Sequence, residues 1–361
     1  MNNKITRRQY IAILLSSLIG IGILSLPSEV CRIAKQDGWI SVALGGLFPL
    51  YLILTASYIN KKMNYEDFAN ITKKLYGKYL SQLIFTVISI SLLIYQILII
   101  ANYTNIMKAS IGEFVPKIVI VGIITFLTIN TSRNGLTVIG RLSEISIYSI
   151  IPLLLLPVIF IPKGSVTNVQ PFFSSGKDII SATSKGILAY TGPEIAFIIL
   201  HFITNKKKPY KSAMIVSSII TFLYTFVVFI VIYYFGWKLT SKIDFPLLFM
   251  YELIKVPILS DSKALFILIW SITIFITSNI EQFSICYYGS KIFNYEYKQV
   301  SNIISVIIFA LGSYAAYNDD LKVKILEPLL PYLFYFITIF ATISSILVAL
   351  KIRGEKKNEK I

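Results

Sequence analysis

Hydrophobic residues in this chain are gathered into long runs that are separated by short polar connectors. A run of about 20 apolar residues in an α-helix is long enough to cross the hydrocarbon core of a bilayer. The pattern predicts about ten spans, near residues 10–32, 39–59, 79–105, 115–131, 140–161, 179–203, 212–235, 263–287, 299–317 and 327–350. The connectors are too short for a separate globular domain. We therefore predict an all-α polytopic membrane protein that forms a single membrane domain over residues 1–361.

Composition and charge agree with a membrane protein. The chain is 55% hydrophobic and 14% charged, whereas soluble domains carry about 25% charged residues. A net charge of +16 is also typical of nucleic-acid binders. Here, however, the Lys and Arg residues form short clusters between the apolar runs, which favours contact with membrane lipids and predicts no nucleic-acid partner. With the N-terminus inside, most of the 34 basic residues lie on the inner side, so both termini, including the basic tail 352–361, are predicted to be cytoplasmic.

The sequence offers little material for catalysis or metal binding. It has one histidine and two cysteines, and the predicted topology places Cys31 and Cys286 near opposite membrane faces, beyond the reach of a disulfide. It contains no phosphate-binding glycine loop, no H-E-x-x-H sequence and no nucleophile with a plausible base. We therefore expect no enzymatic activity, no cofactor and no metal.

Two spans contain residues that break helices, and each is the first span of a set of five. Span one reads GIGILSLP over residues 20–27, and span six reads GILAYTGPE over residues 186–194. Glycine is costly in a helix and proline removes a backbone donor, so each span is predicted to open near the midplane. Packing of small residues between helices is the structural alternative, but a matched pair of breaks favours a transporter-type binding site. The candidate ligand-binding residues at the breaks are Gly20, Ile21, Gly22, Leu188, Tyr190, Thr191 and Gly192.

Polar residues within other spans extend this candidate site. Ionisable groups are costly in a membrane, which makes Glu194 and Glu281 candidates for ion or proton coupling. Thr277, Ser278 and Asn279 lie one turn from Glu281, and we assign Ser278 to the coupling group and Thr277 to the ligand group. Helix capping by Glu194 and pairing of Glu281 with a basic residue are the structural alternatives. Span three adds the ligand candidates Tyr95 and Gln96, together with Asn102, although hydrogen bonding between helices also explains such residues.

The longest connector on the predicted outer face spans about residues 236–262. It contains FPLLFMYELIKV, whose apolar spacing predicts a short helix lying on the outer face. Such a helix acts either as a lid over a site or as a packed loop helix, and the sequence leaves both possibilities open.

Several segments resemble the B subunit of Ger-type spore germinant receptors. They are ITRRQYIAILLSSLIGIGILSLPSEV, AKQDGWISVALGGL, SRNGLTVIGRLSEI, VTNVQPFF and TGPEIAFIILHFI, and the run from Gly20 through Pro27 to Asp37-Gly38-Trp39 is the most discriminating. That family is a branch of the amino acid, polyamine and organocation permease superfamily. The resemblance implies the leucine-transporter type of fold, a 5+5 inverted repeat with spans one and six broken. The repeats then cover about residues 10–161 and 179–351.

The resemblance also implies a function. Members of the family are subunits in the inner membrane of the spore that bind a nutrient germinant and work with an A subunit and a lipoprotein C subunit. Binding where the first and sixth spans unwind carries over to Gly20, Gly22, Tyr190, Thr191 and Gly192. The run YTGP at residues 190–193 departs from the Phe-Gly-Glu-like run of many members, which bears on the identity of the nutrient. We expect a receptor for a nutrient such as an amino acid, and a proton- or cation-coupled amino-acid transporter is the alternative.

Overall fold

The described part of the protein is almost entirely helical. A computed structural model describes residues 3–110, 113–254 and 262–358. The helices are α1 (Arg7–Leu18), α2 (Gly22–Ala34), α3 (Gly38–Gly45), α4 (Leu47–Lys62), α5 (Phe68–Ser110), α6 (Lys117–Ser132), α7 (Leu136–Leu155), α8 (Gly176–Leu188), α9 (Ile195–Ile199), α10 (Pro209–Phe235), α11 (Trp237–Thr240), α12 (Pro246–Glu252), α13 (Ser262–Phe293), α14 (Tyr297–Tyr317) and α15 (Glu327–Asn358).

Each of the ten predicted spans coincides with a helix or a helix pair. Among the described residues, seven helical segments are long and apolar enough to cross a membrane by themselves. The other three predicted spans are the two broken ones and α6, which has only 16 residues. Several helices run beyond the predicted boundaries: α5 has 43 residues with a kink at Gly77, and α15 continues through most of the predicted tail to Asn358.

Both predicted breaks are present. In span one, α1 ends at Leu18, Ile19 has an extended ψ of 91°, and α2 begins at Gly22. In span six, α8 ends at Leu188 and α9 begins at Ile195. The sequence therefore located both openings correctly.

The two breaks lie against each other at the centre of the fold. A Cβ on Gly192 would stand 2.4 Å from the carbonyl oxygen of Ser17. Gly192 also has a φ of +115°, a value that residues with a side chain rarely adopt. Similarly, a Cβ on Gly22 would stand 3.2 Å from the backbone of Ala189. Glycine at these positions therefore lets the backbones of spans one and six approach closely.

A frame of long helices surrounds the broken spans. Helix α13 packs along α5 and also contacts α7, α6 and α14. Buried amides connect these helices: Gln96 Nε2 donates to the carbonyl of Ser278 and to Gln282 Oε1, each at 3.2 Å. Gln282 Nε2 in turn donates to Ser305 Oγ on α14 at 3.1 Å. These bonds satisfy polar groups that would otherwise be stranded in an apolar environment.

The predicted outer-face helix is present as α12, and it is a packed helix. Pro246, Leu247, Leu248 and Met250 are buried, and α12 contacts both α2 and α13. The hydroxyl of Tyr251 donates to the carbonyl of Leu153 on α7. The end of the predicted segment, residues 255–256, lies outside the described residues.

Asp37 holds the connector between the two repeats against the corner between α2 and α3. It is 1% exposed, and its carboxylate accepts the backbone N–H groups of Phe173 at 3.0 Å and Ser174 at 2.8 Å. It also accepts the hydroxyl of Ser174 at 2.6 Å. Neighbouring Gln36 donates to the carbonyl of Pro171 at 3.1 Å. The Asp37-Gly38-Trp39 sequence is thus explained by packing of the fold.

We predict that Asp37→Ala lowers the thermal midpoint of the purified protein in detergent. The substitution removes the acceptor of two backbone N–H groups and of the Ser174 hydroxyl, and each lost hydrogen bond costs about 1 kcal/mol. Asp320→Asn is the control, because the Asp320 side chain is 77% exposed and forms a surface ion pair with Lys324; its effect should stay within about 0.5 kcal/mol. Equal thermal midpoints for the two variants would contradict a clamp at Asp37.

Candidate functional site

A cavity of about 820 Å³ lies between α2, α5, α8, α13 and α15. It extends from the break in span one, at Gly20, along α2 as far as Ile33, and along α5 from Tyr95 to Asn102. In the orientation predicted from the basic residues, these are the outer halves of the helices. The cavity therefore runs from the middle of the predicted membrane towards its outer face.

Most of the predicted site residues line this cavity. They are Gly20, Ile21, Gly22, Tyr95, Leu188, Thr191, Thr277 and Glu281. These residues come from both broken spans and from spans three and eight, so the fold brings together positions up to 261 residues apart in sequence. Asn102, which stands out in the sequence as a polar residue within span three, lines the cavity as well.

Five predicted ligand or coupling residues are not among those that line it, and one of them, Glu194, is described separately below. Tyr190 is buried, packs on Tyr224 with 4.9 Å between ring centroids, and donates to the carbonyl of Val42 at 3.0 Å. Gln96 and Ser278 lie in the packed contact between α5 and α13. Gly192 is pressed against Ser17. In this conformation the side chains of Tyr190, Gln96 and Ser278 and the α-carbon of Gly192 contact other parts of the protein. These four residues would therefore influence the site through packing.

The helix ends at the breaks present backbone groups to the cavity floor. Helix α2 starts there, and no side chain at its N-cap accepts a hydrogen bond from its first N–H groups. The N-terminus of a helix favours a negative charge, and carbonyls at the end of a helix such as α8 favour a positive one. Leu188, Ala189 and Thr191 all line the cavity close to the end of α8. The floor can therefore hold an anionic and a cationic group side by side.

Glu281 lies at the floor of the cavity on α13. It is 5% exposed, and its Oε2 is buried and has no hydrogen-bond partner among the described residues. One turn earlier, Thr277 Oγ1 donates to the carbonyl of Ser16 at 2.8 Å, which fixes α13 against the end of α1. A buried carboxylate oxygen without a donor is costly. Glu281 is therefore poised to accept a proton or a cationic group from the cavity.

Glu194 lies behind the cavity wall. Together with Tyr95 and Thr191 it lines a small void, and Tyr95 and Thr191 also line the main cavity, so these two residues separate Glu194 from it. Glu194 Oε2 accepts the N–H of Gly192 at 3.1 Å. Glu194 and Glu281 are close enough to interact electrostatically. Glu194 occupies the N-cap position of α9, but its side chain forms no cap hydrogen bond to that helix, so hydrogen-bonded capping does not explain this residue.

The opposite end of the broken spans is closed by direct contacts. The N–H of Ile5 donates to the carbonyl of Phe202 at 3.1 Å, and the N–H of Thr204 donates to the carbonyl of Ile5 at 3.0 Å. These bonds join the segment before α1 to the end of span six. The cavity is consequently sealed on the predicted cytoplasmic side.

A second contact on that side joins the start of α5 to the end of α13. Asp67 accepts Lys291 Nζ at 2.9 Å and the hydroxyl of Tyr287. Burial by itself raises the pKa of the Asp67 carboxyl, but these hydrogen bonds outweigh it and hold the pKa below its usual value. Asp67 is therefore charged at neutral pH, and its ion pair with Lys291 is present at that pH.

The sequence reasoning missed four charged residues of the cavity. Glu29 and Arg32 lie on α2, Lys185 on α8 and Glu327 at the start of α15. A signal for the first two was present: Gly22, Ser25, Glu29 and Arg32 follow a helical spacing and line one face of α2. No comparable pattern marks Lys185 or Glu327, because only the tertiary packing of α8 and α15 brings them to the cavity.

Solved structures with a similar architecture are transporters. MhsT in complex with L-phenylalanine superposes with a TM-score of 0.73 at 15% identity, covering 97% of this chain and 89% of that one. Mhp1, a nucleobase-cation-symport-1 family transporter with bromovinylhydantoin bound, gives a TM-score of 0.69 at 12% identity, covering 95% and 78%. At these identities the likeness establishes the fold: the leucine-transporter type with broken first and sixth spans, as the sequence predicted.

Curated relatives are germination proteins. The chain is 26% identical to spore germination protein YndE of Bacillus subtilis (strain 168) over 238 residues, and the match spans 64% of each protein. It is 22% identical to spore germination protein B2 of the same organism over 335 residues, 89% of this chain and 88% of that one. The family model described as "Spore germination protein" matches residues 4–321, and with most of the chain so covered this protein belongs to the spore germination permease family.

Proposed function

We propose that this chain is the subunit of a germinant receptor that binds a nutrient, an amino acid, in the cavity at the paired breaks. The main support for the proposal is that residues at the start of α2 and at the end of α8 together form the floor of the cavity. These helix ends offer N–H groups to a carboxylate and carbonyl oxygens to an ammonium group. An amino acid carries both groups on adjacent atoms.

The ligand contacts proposed here come from both breaks and from spans three and eight. Gly20, Ile21 and Gly22 would contact the carboxylate side, and Leu188 and Thr191 the ammonium side. Tyr95 and Thr277 complete the wall. Tyr190, Gln96 and Gly192 would support the site from behind, since their contacts hold the backbone at the breaks.

Signalling requires that ligand binding changes the packing of the subunit. The cavity is open on one side and sealed on the other, so closure over a bound nutrient would alter the contacts of α2 and α8. In this proposal the change is passed to an A subunit and a lipoprotein C subunit in the inner spore membrane, with both termini of this chain in the cytoplasm. The resemblance in sequence supports these partners and this location.

A coupled amino-acid transporter is the second candidate. Glu281 has an unpartnered carboxylate oxygen at the cavity floor, and Glu194 lies within electrostatic range behind Tyr95 and Thr191. A proton or cation that moves with the ligand would be held at this pair, with Ser278 beside it. Both candidates use the same cavity, and they differ in whether the ligand crosses the membrane.

We predict that Gly20→Leu abolishes amino-acid binding to the purified chain while the protein still accumulates in the membrane. A Cβ on Gly20 meets nothing within 4 Å, so the larger side chain enters the cavity without a backbone clash. Gly176→Leu is the matched control, since Gly176 also has open space around its Cβ but does not line the cavity. Unchanged binding in Gly20→Leu at normal abundance would refute the site.

We predict a different outcome for Gly192→Ala. Its Cβ would collide with the backbone of Ser17 and its φ is strained for alanine. This variant should lower membrane abundance and the thermal midpoint of the protein in detergent. If Gly192→Ala instead kept normal stability and lost only ligand binding, Gly192 would be a direct ligand contact.

We predict that Glu281→Gln impairs the germination response far more than it weakens ligand binding. Glutamine keeps the size and hydrogen bonding of the side chain but cannot ionise. The measurements are ligand affinity, protein abundance and germination rate across a pH series, with Glu281→Ala as the comparison for a purely structural role. A Gln variant that matches the wild type at every pH would exclude coupling through Glu281.

A further inference from the structure

Three carboxylates face the same cavity without a cationic partner. Glu29 lies on α2, Glu281 on α13 and Glu327 on α15. Within the described ranges none of the three forms an ion pair, whereas Glu66, Glu252 and four aspartates at other places on the surface are paired with Lys or Arg. The cavity therefore gathers negative charge that the protein itself leaves unneutralised.

The basic residues near the cavity are too few or already engaged. Arg32 donates to the carbonyl of Ser241 at 3.0 Å and to Asp244 at 3.4 Å, both in the outer connector. Lys322, five residues before Glu327, pairs with Asp319 at 2.9 Å. Lys185 lines the cavity and forms no ion pair among the described residues, so one ammonium group faces three carboxylates.

Glu281 gives independent support for a bound cationic group. This carboxylate is nine-tenths buried, lines the floor, and has an oxygen that no donor of the described chain reaches. Because this oxygen is buried, the reason it lacks a donor differs from that for an exposed carboxylate, which water can solvate. A positively charged donor from a ligand would satisfy it.

The other two carboxylates lie nearer the mouth. Glu29 is seven residues beyond Gly22 on α2, which corresponds to about 10 Å along a helix. Glu327 lines the same cavity as Glu29, and it is attracted by Lys322 as well as repelled by Glu29. A second cationic group at this height would relieve that repulsion.

We propose that the cavity is selective for basic amino acids, which carry two cationic groups and one carboxylate. The proposal rests on the proposed function and specifies its ligand class. The α-ammonium group lies at the floor, where the carbonyls at the end of α8 hold it and Glu281 accepts one of its N–H groups, a hydrogen bond that glutamine can also accept. The carboxylate lies at the start of α2, and the side-chain cation reaches Glu29 and Glu327. A neutral amino acid satisfies the floor and leaves the two outer carboxylates facing each other.

The test compares two ligands of nearly the same shape. L-Arginine and L-citrulline differ in the charge of the side-chain terminus, so their affinities for the purified full chain in detergent isolate the electrostatic contribution. We expect arginine to bind at least about tenfold more tightly, because two partly buried charge contacts of about 0.7 kcal/mol each amount to that ratio. The measurement is repeated with sodium chloride replaced by choline chloride, which tests whether an inorganic cation occupies the acidic site.

Variants assign the selectivity to the outer carboxylates. Glu29→Gln and Glu327→Gln should each reduce the preference for arginine several-fold, and the double variant should bind arginine and citrulline equally. Glu66→Gln is the matched control, because it removes a carboxylate in the connector between α4 and α5, outside the cavity. Glu327→Lys should reverse the preference in favour of citrulline.

The outcomes separate this inference from the proposed function. Citrulline binding as tightly as arginine would overturn the selectivity while leaving an amino-acid receptor intact. Binding of neither compound, nor of any other amino acid, would overturn both. If the double variant still preferred arginine, the assignment of selectivity to Glu29 and Glu327 would be overturned. The same would follow if sodium removed the preference by competing for these two carboxylates.

Discussion

The requirement that backbone polar groups be satisfied within a bilayer determines how this protein is built. Each N–H and C=O group in the hydrocarbon region needs a partner, which helices supply internally. Spans one and six give up several of these bonds at their breaks. Such an opening is tolerated only where it lies against protein or lines a wet cavity. Here both conditions hold, because Gly192 packs against Ser17 on one side and Gly20 faces the cavity on the other.

The surrounding helices make this arrangement possible. Helices α5 and α13 pack along one another and share buried amides, so the frame stays closed around two discontinuous spans. Thr277 joins α13 directly to the carbonyl of Ser16 at the end of α1. At the connector between the repeats, Asp37 accepts the backbone N–H groups of Phe173 and Ser174. The same contacts that stabilise the breaks thus determine the position of the cavity floor.

Basic and acidic residues are distributed differently in this protein. Basic clusters in the connectors are accounted for by orientation in the membrane and contact with anionic lipids. The acidic residues behave differently, since several outside the cavity are paired, while Glu29, Glu281 and Glu327 line it and form no ion pair with the part of the chain that the structure describes. An acidic cavity in a strongly basic protein attracts cationic solutes locally, whatever the sign of the net charge.

The fold class, the spans and the two breaks could be predicted from the amino-acid sequence alone. Long apolar runs, glycine and proline act on the local backbone, and their consequences do not depend on distant residues. Which polar residues share a site depends on how the helices pack, and the sequence does not show this. Tyr190 and Thr191 are neighbours in sequence, yet one is packed against Tyr224 and the other lines the cavity. Glu327 joins the site solely because α15 packs beside the cavity, and no local pattern records a contact between helices so far apart in the chain.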